Sequence, residues 1–268
     1  MLTAIAHGKA GRIQMNGREE LVSWREVFRA SEDLLTAVVF SRLRYLSPAG
    51  LQKVMNEFVG EDSAHSLGWL ERIDFWPRLK RLDGRAWVEP DVLLRFSDAV
   101  VLVEVKPPFG GQQSLRQWQT EVQALVADYS KDDEPAPAVV HFIGFGRNTF
   151  EISDTLYAEF DTDGVFDLVL HTQEWAEFAR AVPNWRSEST GSDLAVFEDW
   201  LTALTMFGIQ SFEFTWPAML TWASHHTLTL NELVNWPIRS DPKGPPAAPE
   251  LKIDWTDLLV YTQHNGLT

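Results

Sequence analysis

The chain has 268 residues, 45% of them hydrophobic, and a formal net charge of −15. It contains no cysteine, which excludes disulfides, thiolate zinc sites and a cysteine nucleophile, and no apolar run reaches the ~20 residues of a membrane span. The acidic balance counts against unaided, non-specific duplex binding, because that affinity rests on neutralised phosphates.

The opening segment, "MLTAIAHGKAGRIQMNG", lacks the charged lead and long apolar stretch of a signal peptide, so a cytoplasmic location is expected. From Arg18 to Leu46 apolar residues recur at helical spacing (Leu21, Trp24, Phe28, Leu35, Val39, Leu46), which predicts one amphipathic helix or two joined ones. Ser47 as N-cap and Pro48 at the first helical position predict a second helix through Phe58. An edge strand is expected around Ile73 to Leu79, then strong strands over 87–96 and 99–106. Two prolines and two glycines make "PPFGG" a loop. A helix is predicted for "QSLRQWQTEVQALVADY", strands for "AVVHFIGF" and "VFDLVLHT", and a helix capped by Thr172 for "TQEWAEFARAV". "PNWRSESTGSD" reads as a linker, followed by helices over 193–207 and 216–224, the loop "PIRSDPKGPPAAPE" and a short helix or strand from Leu251 to Tyr261. The expectation is an α/β domain over 1–182, a mixed β-sheet flanked by helices, with a mainly helical C-terminal appendage over 183–268 that packs on the core or binds a partner. Twelve tryptophans suit core packing, although large aromatics are also enriched in interface cores.

The chemistry concentrates where the two strong strands meet. If they pair as a hairpin about Ser97 and Asp98, residue numbers that face each other sum to 195, and Asp91 stands opposite Glu104. Lys106 shares a strand face with Glu104, while Val103 and Val105 face the other way. A charged pair ending an apolar strand is costly to bury unless something compensates it. Hard carboxylate oxygens with waters and substrate phosphate are how magnesium is usually held.

These residues resemble the PD-(D/E)XK nuclease superfamily. "EPD" at 89–91 matches the first half of its motif and "EVK" at 104–106 the second, and the element order over residues 18–175 is similar to the superfamily core. The resemblance implies a restriction-endonuclease-like fold and a magnesium- or manganese-dependent phosphodiesterase. Asp91 and Glu104 would hold the cation, with the Val105 carbonyl as a further ligand. Lys106 would position or activate the attacking water. Glu32, on the apolar stripe between Phe28 and Leu35, matches the glutamate that superfamily members carry on their first core helix. Gln117 matches a glutamine on the helix after the second motif, with Gln113 and Glu121 as alternatives on that segment. Glu89 is a further ligand or a solvated residue.

Arg72, Arg78, Lys80, Arg81 and Arg85 form a basic stretch leading into the hairpin; Arg78, Lys80, Arg81 and Arg85 are expected to touch a phosphate backbone, against a solvated charged face as the simpler alternative. Residues 151–167 carry six acidic residues and no lysine or arginine, so nucleic acid is not expected there. His141 reads as a core histidine, and His225-His226 do not make a metal site. Neither a phosphate-binding loop nor a serine nucleophile elbow occurs. The expected function is a metal-dependent DNA nuclease, brought to nucleic acid by a partner protein and serving bacterial defence against phage, restriction or repair, with homodimerisation left open. The alternatives are a catalytically silent interaction subunit that keeps the fold, and an acidic DNA mimic.

Overall fold

The structure, a computed structural model, describes residues 2–14, 21–80, 87–109, 111–130 and 135–209. It divides into compact units of residues 1–213 and 214–268. The second unit lies outside the described residues, and with it the helix expected over 216–224, the tail from Leu251, and His225-His226.

The first elements are α1 (Leu2–Ala6), the paired strands β1 (Arg12–Gln14) and β2 (Leu21–Ser23), α2 (Trp24–Ala30), α3 (Glu32–Ser41), a 3-10 turn over Leu43–Tyr45, α4 (Pro48–Val59) and α5 (Glu61–Ser66). Two joined helices thus occupy the long periodic segment. The first starts only at Trp24, because Ser23 and Glu26 form a capping box in which each side chain takes the other's backbone N–H. The second starts after Ser31, whose extended backbone (φ −114°, ψ 108°) breaks the helix. Ser47 caps α4 as its sequence predicts, accepting from the Gly50 N–H at 3.1 Å, with Pro48 at the first helical position.

Next come β3 (Leu70–Phe75), β4 (Leu79–Lys80), β5 (Trp87–Val88), β6 (Val92–Phe96), β7 (Ala99–Val105), α6 (Leu115–Tyr129), β8 (Val139–Phe145), α7 (Asp154–Tyr157), β9 (Asp167–Gln173), α8 (Trp175–Ser187) and α9 (Gly191–Phe207). Five strands form one mixed sheet in the order β3-β6-β7-β8-β9. β6 pairs antiparallel with both β3 and β7, and β7, β8 and β9 run parallel to one another. The hairpin register is the expected one, from Val92 opposite Val103 to Arg95 opposite Val100. The strand expected over 87–96 is in fact divided. Trp87 and Val88 pair with β4 in a separate ribbon, and the chain enters the sheet only after Pro90, which has no N–H to give to a ladder. The edge strand sits earlier than expected, at 70–75.

Two further expectations need correction. Glu174, not Thr172, begins α8, because β9 runs on to Gln173, which pairs with Phe145. The segment from Pro183 is not a linker. Pro183 lies inside α8, where the buried face of Trp175, Phe178, Val182 and Trp185 carries the helix through an unfavourable residue. α9 then joins the main core through Phe197, Trp200 and Leu204. Asp193, inside the supposed linker, accepts from the Ser47 N–H at 2.6 Å and from its hydroxyl at 2.5 Å, tying α9 to the start of α4.

Alternation along the strands sorts the core into two layers. Val101, Val103, Val105, Ile143 and Phe145 face the cluster built by α3, α4, α8 and α9. Leu93, Val100, Leu102, Val140 and Phe142 face α6, where Trp118, Val122 and Leu125 cover them. Trp118 fits against β8 only because residue 144 is glycine, since a Cβ there would lie 2.0 Å from the indole ring. Gly144→Ala is therefore expected to overpack this layer at a cost of about 1–3 kcal/mol. Its urea unfolding midpoint should fall clearly below that of the wild type; an unchanged midpoint would show that Trp118 can move aside freely.

Candidate active site

Seven consecutive buried residues make β7 the centre of the sheet, and its C-terminal end carries the polar cluster. In sheets with parallel strands, ligands bind outside the carboxyl ends of those strands. Glu104 is only 2% exposed. Its Oε1 accepts from the Lys106 ammonium and from the Gln117 amide at 2.6 Å. Asp91, in the turn before β6, accepts from the Val105 N–H at 2.8 Å, and its own carbonyl accepts from the Trp76 N–H at 3.0 Å. Those two bonds hold the carboxylate beside Glu104, as the hairpin register implies.

Gln113 braces the frame beneath. Its amide donates to the Glu104 and Phe145 carbonyls at 3.1 and 3.0 Å, and its oxygen accepts from the Trp118 indole at 2.8 Å. The Lys106 carbonyl accepts from the Trp175 indole at 2.8 Å. Gly146, at φ 109°, lets the chain pass so close to that carbonyl that a Cβ would sit 2.4 Å from it, a conformation natural to glycine alone.

The charges do not balance. Three carboxylates, of Glu104, Glu32 and Asp91, act on the Lys106 ammonium, and Glu121 in turn acts with Glu104 and Asp91. Burial pushes Asp91 up to about 7, and the Glu104 charge adds to this against the Val105 N–H. Burial likewise raises Glu32 to about 7; Lys106 opposes the rise and Glu104 reinforces it. Burial disfavours the charged form of Lys106, but Glu104, Glu32 and Asp91 outweigh it and leave the pKa above its ordinary value. Lys106 is therefore a charged donor at neutral pH. Excess negative charge on hard oxygen donors is the setting a divalent cation relieves. Among the described residues, no three His, Asp or Glu side chains converge into a ready metal cage; Lys106 and Gln117 both occupy the same oxygen of Glu104.

Of the residues expected from sequence, Asp91, Glu104, Val105, Lys106, Glu32 and Gln117 come together. Glu32 is the first residue of α3 rather than a mid-helix stripe position, so the break at Ser31 sets its direction. The three candidates on and before α6 have different roles. Gln117 touches the Glu104 carboxylate, Gln113 clamps backbone, and Glu121 is fully buried against Glu104 and Gln117, where burial and the Glu104 carboxylate hold its pKa well above the ordinary value. Glu121 was legible as an anomaly: with Trp118, Val122 and Leu125 it completes a helical apolar stripe. Away from this centre, Glu89 pairs with Arg78 at 2.7 Å, which draws Arg78 into an ion pair. Lys80 lies 5.5 Å over the Trp87 ring, and Arg81 and Arg85 lie outside the described residues. His141 is buried against His171, with ring nitrogens 3.0 Å apart, while its Nε2 has no hydrogen bond.

No family model and no solved structure matches the chain. Over 107 residues it is 33% identical to an uncharacterized protein of Pasteurella multocida (strain Pm70), a stretch covering 40% of this chain and 39% of that protein.

The raised carboxylates make stability pH-dependent. Asp91 and Glu32 bind protons more tightly folded, at about 7, than at their ordinary 3.8 and 4.5. Their contribution is full below those ordinary values and is lost as pH rises through about 7. Asp91→Asn removes one such group. Its urea midpoint relative to wild type is expected to shift upward as pH is raised across that window, and a constant difference would contradict the burial of an ionisable Asp91.

Proposed function

We propose that this protein is a magnesium- or manganese-dependent nuclease that hydrolyses phosphodiester bonds of DNA, built on a restriction-endonuclease-like version of the mixed sheet. One observation carries the reading: Asp91, docked on the Val105 N–H, and Glu104, paired with Lys106, meet at the end of β7, the central strand of the sheet. The "EPD" and "EVK" segments that supply them resemble the two halves of the PD-(D/E)XK motif. The excess of carboxylates over the one ammonium supports a cation there.

Asp91, Glu104, Glu32 and the Val105 carbonyl are the groups that would hold it. Once bound, the cation supplies Lewis acidity toward the scissile phosphate and lowers the pKa of a water. The chain's own part is positioning and charge. Lys106 keeps its proton and donates to the negative charge that develops on the phosphate oxygens. Gln117 holds Glu104 in one rotamer through its amide, so that the carboxylate is set before substrate arrives. Gln113 and Trp175 fix the backbone on either side.

The net charge of −15 gives the protein little general attraction for a duplex. A partner protein that delivers it to DNA, in a defence, restriction or repair system, belongs to the same proposal. The latter step is analogy from the resemblance.

The test is cleavage of plasmid DNA with manganese or magnesium, run with and without the products of neighbouring genes. Asp91→Ala and Lys106→Ala are each expected to reduce cleavage by at least about 100-fold, the scale of a positioned catalytic group, with unchanged circular dichroism. Full activity in both variants would overturn the proposal and favour a non-cutting interaction subunit.

A further inference from the structure

Six large apolar or aromatic side chains are exposed among the described residues, and three of them, Trp76, Trp87 and Phe109, flank the candidate site. Exposed apolar residues scattered singly need no explanation; three rings around one polar cluster do. Trp87 lies four residues before Asp91, and Phe109 three after Lys106. The Trp76 N–H donates to the Asp91 carbonyl at 3.0 Å. Trp76 holds φ 48°, a left-handed backbone that glycine adopts at no steric cost, so a bulky ring is kept there against its own backbone preference. Trp87 stands opposite Lys80 in the β4–β5 ribbon. Leu79, on the other face of that ribbon, is buried in the layer covered by α6. Trp87, 56% exposed, therefore faces solvent, with the Lys80 ammonium 5.5 Å from its ring centre. Phe109, 69% exposed, belongs to the loop that leaves β7. That loop returns to the sheet at Gln113, whose N–H donates to the Arg147 carbonyl at 3.0 Å.

Cations stand beside these rings. Arg116, in the first turn of α6, lines a 320 Å³ cavity with Ser114, Gln117, Thr120, Glu89 and Glu121. Glu89 is already paired with Arg78, and burial drives Glu121 toward its neutral form, which leaves Arg116 as the uncompensated charge. Arg147 follows the end of β8. Both arginines are exposed, and neither forms an ion pair with a described residue. Rings with cations between them are what hold an unpaired strand: bases stack on the rings whatever their sequence, and the cations track the phosphates. A duplex offers these rings no free base faces. The net charge of −15 points the same way, because binding that draws on stacking needs fewer neutralised phosphates than duplex binding does. We propose that the substrate of this site is an unpaired DNA strand. Its bases stack on Trp87 and Phe109, its phosphates are met by Lys80, Arg116 and Arg147, and Trp76 is a third platform beside Asp91. The inference rests on the nuclease reading of the site and names the substrate class.

The experiment is fluorescence anisotropy of the full chain with a labelled single strand of about 20 nucleotides, longer than the ~4–16 that such surfaces cover. Calcium replaces magnesium, since it takes the same kind of oxygen ligands. The single strand is expected to bind at least about 10-fold tighter than the duplex of the same sequence. Trp87→Ala and Phe109→Ala are each expected to weaken single-strand binding about 10-fold, the loss of one stacked base. Trp69→Ala, at an exposed tryptophan outside the cluster, is expected to leave it unchanged. A duplex bound as tightly as the single strand, full single-strand affinity in both variants, or no binding of the single strand overturns the proposal. An RNA strand of the same sequence bound more tightly overturns the assignment to DNA. Cleavage of the same strand is read separately with manganese. A strand bound through Trp87 and Phe109 but never cut overturns the nuclease reading and leaves the strand-binding surface standing.

Discussion

A carboxylate buried at the end of the most buried strand is the constraint on which this site depends. Glu104 follows five fully buried residues of β7 and is nearly inaccessible itself. An unpaired charge there would cost several kcal/mol, and removing one partner of a buried pair typically costs 3–5 kcal/mol. Each nearby element brings something to it. β7 itself brings Lys106 two residues on, α6 brings the Gln117 amide, and the hairpin brings Asp91 against the next N–H. The number of acids exceeds what these donors satisfy. That surplus, more than any single residue, distinguishes the cluster from a structural ion pair.

Precision in the cluster comes from a small set of close approaches on the two parallel strands. Gly144 admits the Trp118 ring, and that ring's N–H holds Gln113, whose amide bridges the carbonyls ending β7 and β8. Gly146 lets the chain turn away against the Lys106 carbonyl, which Trp175 caps from the other layer. Packing and polar positioning are thus the same contacts. Substitutions in this part of the core act on stability and on site geometry together, because a close-packed interior transmits small volume changes.

The other layer accounts for several of the tryptophans. Trp175, Trp185 and Trp200 pack with Phe145, Phe178 and Phe197 in a run of edge-on and tilted contacts of the kind aromatic quadrupoles favour. α9 therefore belongs to the main core. Trp69, Trp76 and Trp87 are exposed instead, so the tryptophan count mixes core and surface roles that composition cannot separate.

Much of this was legible in the residues. The order of strands and helices, the hairpin register, the Ser47-Pro48 helix start and the meeting of Asp91 with Glu104 all follow from local rules: period, capping, and a two-residue turn that sets the pairing by arithmetic. What escaped depends on contacts far apart in sequence. Pro183 reads as a helix stop, yet the aromatic core holds α8 through it. Asp193 reads as linker, yet Ser47 fixes it from 146 residues away. Glu32 reads as mid-helix, yet the break at Ser31 makes it the first residue of α3. Spacing favoured Gln117 over Gln113 and Glu121, but which of them faces a β7 carboxylate across the layer only the packing decided. By itself the sequence determined which residues carry charge and how neighbouring strands align, since those are local properties. Only the tertiary structure decided that Glu104, Glu32 and Asp91 converge on Lys106, with Glu121 buried behind Glu104, because burial and long-range packing are what bring them together and make their charges costly.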